Sequence, residues 1–195
     1  MNRIAELKNS PINELKDEHQ AVKVGLTILS EIASRLSRGQ AVDLAHLDQL
    51  LEFLTTFVDK CHHGKEEDLL FPELEKAGVL REGGPIGVML KEHDLGRSYI
   101  SGLREGLTRL KAGDSKAAEV VIENIEKYSD LLIQHIYKED RVLYPMAEKY
   151  FSPGQNQALL DGFAEIEEQR VGAGKHEEFH RMLHRLQEIY AIGGN

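Results

Sequence analysis

The sequence has a single cysteine among its 195 residues and lacks any long apolar run. With Cys61 alone, no disulfide framework can form within the chain, which is typical of a reducing compartment. No segment reaches the roughly 18 apolar residues that a membrane-spanning helix needs. Residues 1–13 alternate charged and apolar side chains, without the apolar centre of a signal peptide. We therefore expect a soluble, cytoplasmic protein without a membrane partner.

Positive charge is also scarce. The chain has 24 Lys and Arg residues against 33 Asp and Glu residues, a formal net charge of -9. Such a chain repels phosphate backbones, which excludes general nucleic-acid binding. Hydrophobic residues make up 41% of the sequence, enough for the core of one domain. Alternating patterns typical of strands are almost absent, so the sequence predicts an all-α protein.

Apolar residues recurring at spacings of three and four predict four long helices, which favour an up-down-up-down four-helix bundle over residues 1–150. Residues 151–195 are predicted to form a C-terminal helical extension that packs on this bundle. Proline inside the second helix predicts a kink or a new last turn, and the fourth helix repeats this feature. Residues predicted to start or cap the four helices are Ser10 with Pro11, Asp43, Pro85, and Asp114 or Ser115.

Residues 61–72 in the second helix are repeated at residues 135–145 in the fourth. Alignment on the prolines selects a His and a Glu at i and i+4 in each copy, which lie on one helix face. This alignment selects His62 and Glu66, and it excludes His63 and Glu67 from the candidate ligands. A further His precedes each copy, by 43 and 42 residues. The six candidate metal ligands, all on apolar faces, are His19, His62, Glu66, His93, His135 and Glu139.

Two glutamates inside an apolar bundle need compensation, because burying an unpaired carboxylate costs several kcal/mol. Bound cations supply it; a buried network of His and Glu ion pairs is the alternative. Imidazole and carboxylate ligands suit iron, manganese or zinc, whereas the lack of paired thiolates disfavours structural zinc and iron-sulfur clusters. If both glutamates bridge two ions, each ion has four protein donors. Positions then remain open for an added ligand.

The order His, His-x-x-x-Glu, His, His-x-x-x-Glu, with Glu-Glu-Asp-Leu-Leu-Phe-Pro after the second His, resembles the hemerythrin-like (HHE cation-binding) family over about residues 10–150. The resemblance implies a four-helix bundle around a non-haem di-iron centre. The two iron ions would share an oxo or hydroxo bridge, with the four His as terminal ligands and Glu66 and Glu139 as bridges. Zinc and manganese remain alternative metals.

Two departures separate the chain from the oxygen-carrying hemerythrins. Those proteins have a fifth His where this chain has Arg97, and His-x-x-x-x-Asp where it has His135-x-x-x-Glu139. The resemblance is therefore to members that bind or sense oxygen, nitric oxide, peroxide or iron. A di-iron enzyme that reduces peroxide or nitric oxide is one alternative, and a metal-stabilised structural bundle is another. No catalytic residue is assigned, and the protein partner is left open.

The C-terminal segment contains His176-Glu-x-x-His180, the pattern of a zinc-protease helix. A protease is disfavoured because no third ligand or substrate-binding strand follows. The simpler interpretation is an amphipathic helix that packs Phe179 on the bundle. In the alternative hypothesis this helix caps the open end of the bundle, where His176 or His180, with Glu167, fills vacant metal positions or lines a ligand channel.

Overall fold

The computed structural model describes residues 10–192, which form six helices and contain no strand. The prediction of an all-α protein is confirmed. Residues 1–9 and 193–195, which include most of the segment tested for a signal peptide and the outer ends of both predicted regions, lie outside this range. No helix within it is both long and apolar enough to span a bilayer.

Four of the helices are regular: α1 is Pro11–Ser37, α3 is Pro85–Lys111, α5 is Pro153–Arg170 and α6 is Lys175–Ile189. The other two change their winding. Helix α2 runs from Leu44–Phe53 through π-helical turns at Leu54–His63 and Glu66–Leu70 to Phe71–Lys76. Helix α4 runs from Ala117–Lys138 through a π-helical turn at Glu139–Leu143 to Tyr144–Tyr150.

The π-helical turns before Phe71 and Tyr144 have a shared local cause. The amide of Phe71 donates to the carbonyl of Glu66, five residues earlier, and Tyr144 does the same with Glu139. The next residue in each case is a proline, which has no amide hydrogen and whose ring clashes with a regular helical turn. The predicted kink thus takes the form of a widened turn that starts at each candidate bridging glutamate. Such turns are rare and occur frequently at functional sites.

The helix starts follow the sequence signals in three of four cases. The Ser10 hydroxyl accepts from the amide of Asn13 at 3.1 Å, Asp43 caps α2 through the amide of Ala45 at 2.9 Å, and α3 begins at Pro85. The prediction that Asp114 or Ser115 caps the fourth helix was wrong. Here the chain makes a tight turn first, with the Asp114 carboxylate accepting from the amide of residue 116, and α4 begins two residues later than Ser115.

The core consists of two apolar clusters with a polar layer between them. We call the cluster that contains Ile12, Leu15, Phe71 and Tyr144 the proline-side cluster, and the one around residues 21–58 and 103–136 the large cluster. Along α1 and α3 the chain passes from the proline-side cluster, through a candidate His, to the large cluster. Along α2 and α4 the order is reversed. The six candidate ligands therefore form one layer across four helices.

Helices α5 and α6 cover this core from outside. Helix α6 buries Phe179, Leu183 and Leu186 in the large cluster, against α1 and α2. Helix α5 buries Leu159 and Phe163 in the proline-side cluster. The C-terminal segment thereby adds apolar cover to the clusters on both sides of the polar layer.

Candidate metal centre

The four candidate histidines meet as two pairs in the polar layer. The Nε2 atoms of His19 and His62 lie 3.1 Å apart, and those of His93 and His135 also lie 3.1 Å apart. All four side chains are buried. Two ring nitrogens that bind one ion in adjacent positions at ~2.1 Å lie about 3.0 Å from each other. Each pair is therefore spaced to share an ion.

The two candidate glutamates lie between the pairs. Glu139 places Oε2 3.2 Å from the Nε2 of His19 and Oε1 3.0 Å from the Nε2 of His135. Glu66 places Oε2 3.4 Å from the Nε2 of His93 and 3.9 Å from that of His62. Each carboxylate thus contacts one His of each pair, which is the arrangement that a bridge between two ions requires.

Three oxygens of these two carboxylates indicate whether cations would fit between the histidine pairs. Oε2 of Glu66 and both oxygens of Glu139 are buried, and none accepts a hydrogen bond from any residue between 10 and 192. Imidazole nitrogens lie 3.0, 3.2 and 3.4 Å from these oxygens, but the contacts lack the alignment of a hydrogen bond. Because buried carboxylate oxygens without hydrogen-bond donors are costly, bound cations fit the donor set better than an ionic network. The donors suit iron, manganese or zinc.

Each of the four histidines also donates its Nδ1–H to a carboxylate from another helix. This bond leaves Nε2 free for a metal, fixes the ring, and makes the imidazole a stronger donor. The four bonds are His19 to Asp140 at 2.9 Å, His62 to Glu18 at 2.7 Å, His93 to Glu67 at 2.7 Å and His135 to Glu92 at 3.0 Å. Each of these carboxylates is adjacent in sequence to one candidate ligand, but it accepts its hydrogen bond from a different candidate ligand, on another helix.

A Lys or Arg side chain lies beside each of these four carboxylates. Lys65 lies 2.5 Å from Glu18 and Arg97 lies 2.6 Å from Glu67, while Lys23 lies 3.5 Å from Asp140, and Lys138 contacts Glu92. The internal repeat relates Lys65 to Lys138 and Lys23 to Arg97. Burial would raise the pKa of Glu18, but the hydrogen bond to His62 and the Lys65 charge lower it to about 2. The outer shell is therefore a set of four cation–carboxylate–imidazole chains.

Burial distinguishes the two lysines of this set, which predicts different costs on replacement. The Lys65 side chain is fully buried between Glu14 and Glu18, whereas that of Lys138 is 35% exposed. We expect Lys65→Met to lower the free energy of unfolding by about 3 kcal/mol, because a buried charge loses its partner. Lys138→Met, the matched control, should cost about 1 kcal/mol or less. Urea unfolding of both variants measures this difference, and equal losses would contradict it.

Tyr144 is a site residue that sequence reasoning missed. Its hydroxyl donates to Oε1 of Glu66 at 2.8 Å, and its ring stacks on His19 with 5.5 Å between centroids. Burial and the two glutamates raise the pKa of this phenol well above its usual range. Phe71, its equivalent in the repeat, stacks on His93 at 5.9 Å but has no hydroxyl. The available signal was the Phe–Tyr difference between the two copies.

His63 is the second missed residue. The register of the repeat set it aside, yet the structure buries it against His93, with ring centroids 3.8 Å apart and planes within 14° of parallel. Its ligand atom lies within 4.8 Å of those of Glu66, His93 and His135. Burial and the neighbouring imidazoles hold the pKa of His63 well below its usual range. A fifth imidazole therefore adjoins one of the two pairs.

The three additional candidates of the C-terminal segment lie apart from the six. His176 has its Nε2 3.6 Å from Glu167 and 4.0 Å from Glu18, and its ring packs on Phe57 at 4.6 Å. His180 is exposed. His176 and Glu167 thus adjoin the Lys65–Glu18 pair of the outer shell.

Comparison with known proteins agrees with this geometry. The model of the hemerythrin HHE cation binding domain matches residues 10–147. The chain belongs to this family. The HHE match includes all six candidate ligands and ends before α5 and α6, so the C-terminal helices lie beyond the part that the family model describes.

Three relatives show how the HHE chain compares with longer proteins. "Uncharacterized protein Rv1995" of Mycobacterium tuberculosis is 25% identical over 159 residues, which are 82% of this chain and 62% of the relative. "Iron-sulfur cluster repair protein YtfE" of Dickeya chrysanthemi is 27% identical over 165 residues, 74% of each chain. The YtfE of Yersinia pestis (strain Pestoides F) is 29% identical over 146 residues, 70% of this chain and 62% of the relative. The chain thus spans less than two thirds of the mycobacterial relative's length.

Proposed function

We propose that this HHE protein is a non-haem di-iron protein that binds or senses a small ligand, namely oxygen, nitric oxide or peroxide, or responds to iron. His19 and His62 would hold one ion, His93 and His135 the other, and Glu66 and Glu139 would bridge them. The observation that carries the proposal is the set of three buried carboxylate oxygens, without hydrogen-bond donors in residues 10–192, between two pairs of imidazole nitrogens.

The order of the clusters along the helices supports an architecture for this site. Because α1 and α3 cross the polar layer in one direction and α2 and α4 in the other, we propose the up-down-up-down bundle over residues 1–150. Residues 151–195 would form the extension that packs on it, which the burial of Phe163 and Leu183 supports. This arrangement brings one ligand from each of α1 and α3, and two from each of α2 and α4, to one level.

Binding or sensing fits the surroundings better than turnover. With four protein donors per ion, six-coordinate iron keeps positions for an added ligand. The carboxylates nearest to the histidines, Glu18, Glu67, Glu92 and Asp140, are all engaged with an imidazole Nδ1. None of these four carboxylates is therefore free to act as a general acid or base toward an added ligand.

The visible spectrum of iron-loaded protein, prepared without oxygen, tests this proposal. Air, peroxide, azide and nitric oxide are added separately, and each is expected to change the charge-transfer bands of ligand-accessible iron. Protein with both Glu66 and Glu139 replaced by glutamine serves as the control and should give no bands. If the spectrum of metal-loaded protein stays unchanged after all four additions, ligand binding is contradicted and a structural metal is favoured. Rapid, repeated consumption of peroxide or nitric oxide would instead favour the enzyme.

The names of the YtfE relatives favour a second candidate, a role in iron-sulfur cluster repair. For this chain such a role would require that bound ferrous ions leave the site readily. Competition with a coloured ferrous chelator measures this release. Transfer within minutes would support the repair role, and ions that stay bound for hours would contradict it.

A further inference from the structure

A cavity of about 190 Å³ opens from the surface between α2 and α3 and ends at His63. A second, smaller gap lies on the inner side of His63, bordered by His19, His62 and His135, and it has no room for a water molecule. His63 lines both spaces. Its imidazole therefore adjoins both the surface cavity and the small gap beside three of the candidate histidines. The outer cavity is lined by Leu54, Thr55, Gly96, Arg97, Ile100 and Tyr128, among others.

The repeat shows that this opening belongs to one half of the site. The residue equivalent to His63 is Ile136, and the one equivalent to Gly96 is Val22. Both aliphatic side chains are buried in the large cluster. On the α3 side, Gly96 supplies no side chain and His63 replaces an aliphatic one, so the cavity extends to His63, whose ring stacks on His93.

His63 has hydrogen-bonding capacity that the described part of the chain does not use. Its side chain is 6% exposed, and Nδ1 lies 3.6 Å from a carboxylate oxygen of Asp59, too far for a hydrogen bond. Neither ring nitrogen has a hydrogen-bond partner among residues 10–192. A neutral imidazole carries one donor and one acceptor, and leaving both unpaired in a buried site is costly. A metal binds an imidazole in the plane of its ring. Because the His63 ring is stacked face to face on His93, an ion in the plane of His93 lies outside the plane of His63.

The mouth of the cavity selects for charge and size. Arg97 is paired with Asp59 and Glu67, whereas Arg104 donates to the Thr55 hydroxyl at 3.0 Å and has no carboxylate partner among the described residues. Among the residues that line the cavity, Asp59 is negative and Arg97 and Arg104 are positive, which leaves a net charge of +1. A cavity of this volume admits a few water-sized molecules, so it suits a small neutral or singly anionic ligand.

We propose that this cavity is the route by which an added ligand reaches the metal centre, and that His63 donates a hydrogen bond to that ligand when it is bound beside His93 and His135. The ligand class is a small neutral molecule or monoanion, such as oxygen, nitric oxide, peroxide or azide. This inference rests on the proposed function, since it requires metal at the site. His63 is a positioning residue for the ligand and not a further metal ligand.

Azide binding to iron-loaded protein tests the role of His63. His63→Phe keeps a ring on His93 but removes both nitrogens, so it should retain iron and raise the azide Kd about ten-fold, the effect of one lost hydrogen bond to an anion. Ile136→Val, at the equivalent position of the other half, should leave the Kd unchanged. In chelated protein, His63→Phe should not lower the urea midpoint of unfolding, because the replacement removes polar atoms that have no hydrogen-bond partner. If the role of His63 were only structural, the replacement would lower this midpoint.

Gly96 tests the route independently. A Cβ at this position would lie 3.5 Å from the Tyr128 ring, an ordinary contact, so Gly96→Ala should fold normally and serve as the control for a changed backbone. Gly96→Val, which copies the closed half, should slow azide association several-fold in stopped-flow measurements and leave the Kd nearly unchanged. Equal association rates in the wild type and Gly96→Val would overturn the route.

The outcomes separate this inference from the proposed function. If the wild-type protein binds no iron, or if its bound iron does not bind azide, both the proposed function and the inference are contradicted. If wild-type protein binds azide and His63→Phe binds it equally well, only the inference is overturned. Loss of iron from His63→Phe would also overturn it, because His63 would then belong to the metal's own support.

Discussion

Replacing Glu66 and Glu139 together by glutamine is expected to abolish metal binding at the centre. Each carboxylate contacts one histidine of each pair, so the double replacement removes both candidate bridges and both negative charges at once. Outer-shell changes typically weaken metal affinity by 10–100-fold, so losing both bridges should weaken it by at least about 100-fold. Metal analysis after gel filtration and calorimetric titration measure the loss.

A matched control carries the same change of charge elsewhere. Glu105 on α3 and Glu126 on α4 are exposed, and their double replacement by glutamine should leave metal content unchanged. The Glu66/Glu139 double variant has a second expected effect, a gain in the stability of the metal-free protein. In metal-free protein it should be more stable than the wild type, because it removes two buried carboxylates, three of whose four oxygens lack hydrogen-bond donors among residues 10–192. Full metal content in the Glu66/Glu139 double variant would exclude these residues as ligands.

Removing the metal from the wild-type protein is expected to lower its thermal midpoint substantially. An ion that binds only the folded chain stabilises it by about 4 kcal/mol when its concentration is 1,000 times the Kd. For a chain of this size, 1 kcal/mol shifts the Tm by roughly 2–4 °C. Chelation should therefore lower the Tm by roughly 8–16 °C.

Scanning calorimetry of iron-loaded and chelated protein measures this shift. The Glu66/Glu139 double variant provides the control, because its Tm should not respond to the chelator. The location of the site explains why the effect is global: the polar layer lies between the proline-side and large clusters, so repulsion within it weakens packing on both sides. Identical Tm values with and without chelator in the wild type would contradict a stabilising metal pair.

The internal repeat explains why the grouping of the six candidate ligands could be predicted. Helical spacing fixes which residues share a face, so the i and i+4 relation of His62 to Glu66, repeated at His135 and Glu139, identified residues that the structure brings together. The outer shell depends on packing between helices, which spacing along one chain does not specify. Glu18 adjoins His19 in sequence but hydrogen-bonds His62 on another helix.

The repeat also concealed what differs between the halves. Choosing a register treated the two copies as equivalent and therefore discarded His63, whose counterpart is Ile136. The π-helical turns could not be predicted beyond a kink at each proline, because their hydrogen bonds depend on how the helix widens around Glu66 and Glu139. The start of α4 was missed because a tight turn precedes its first helical bond.

These differences give a nearly symmetric ligand set an asymmetric environment. One candidate ion position, beside His19, adjoins the Tyr144 ring, whose hydroxyl also donates to Glu66. The other candidate position, beside His93, adjoins His63, which lines the surface cavity. The account therefore assigns ligand access to the second position and a closed environment to the first.

Anaerobic titration of chelated protein with ferrous iron tests the central claim most directly. The account predicts saturation at two ions per wild-type chain, and at no more than one after His93 and His135 are both replaced by alanine. Saturation of the wild type at a single ion, or no binding, would contradict a two-ion centre built from these six residues.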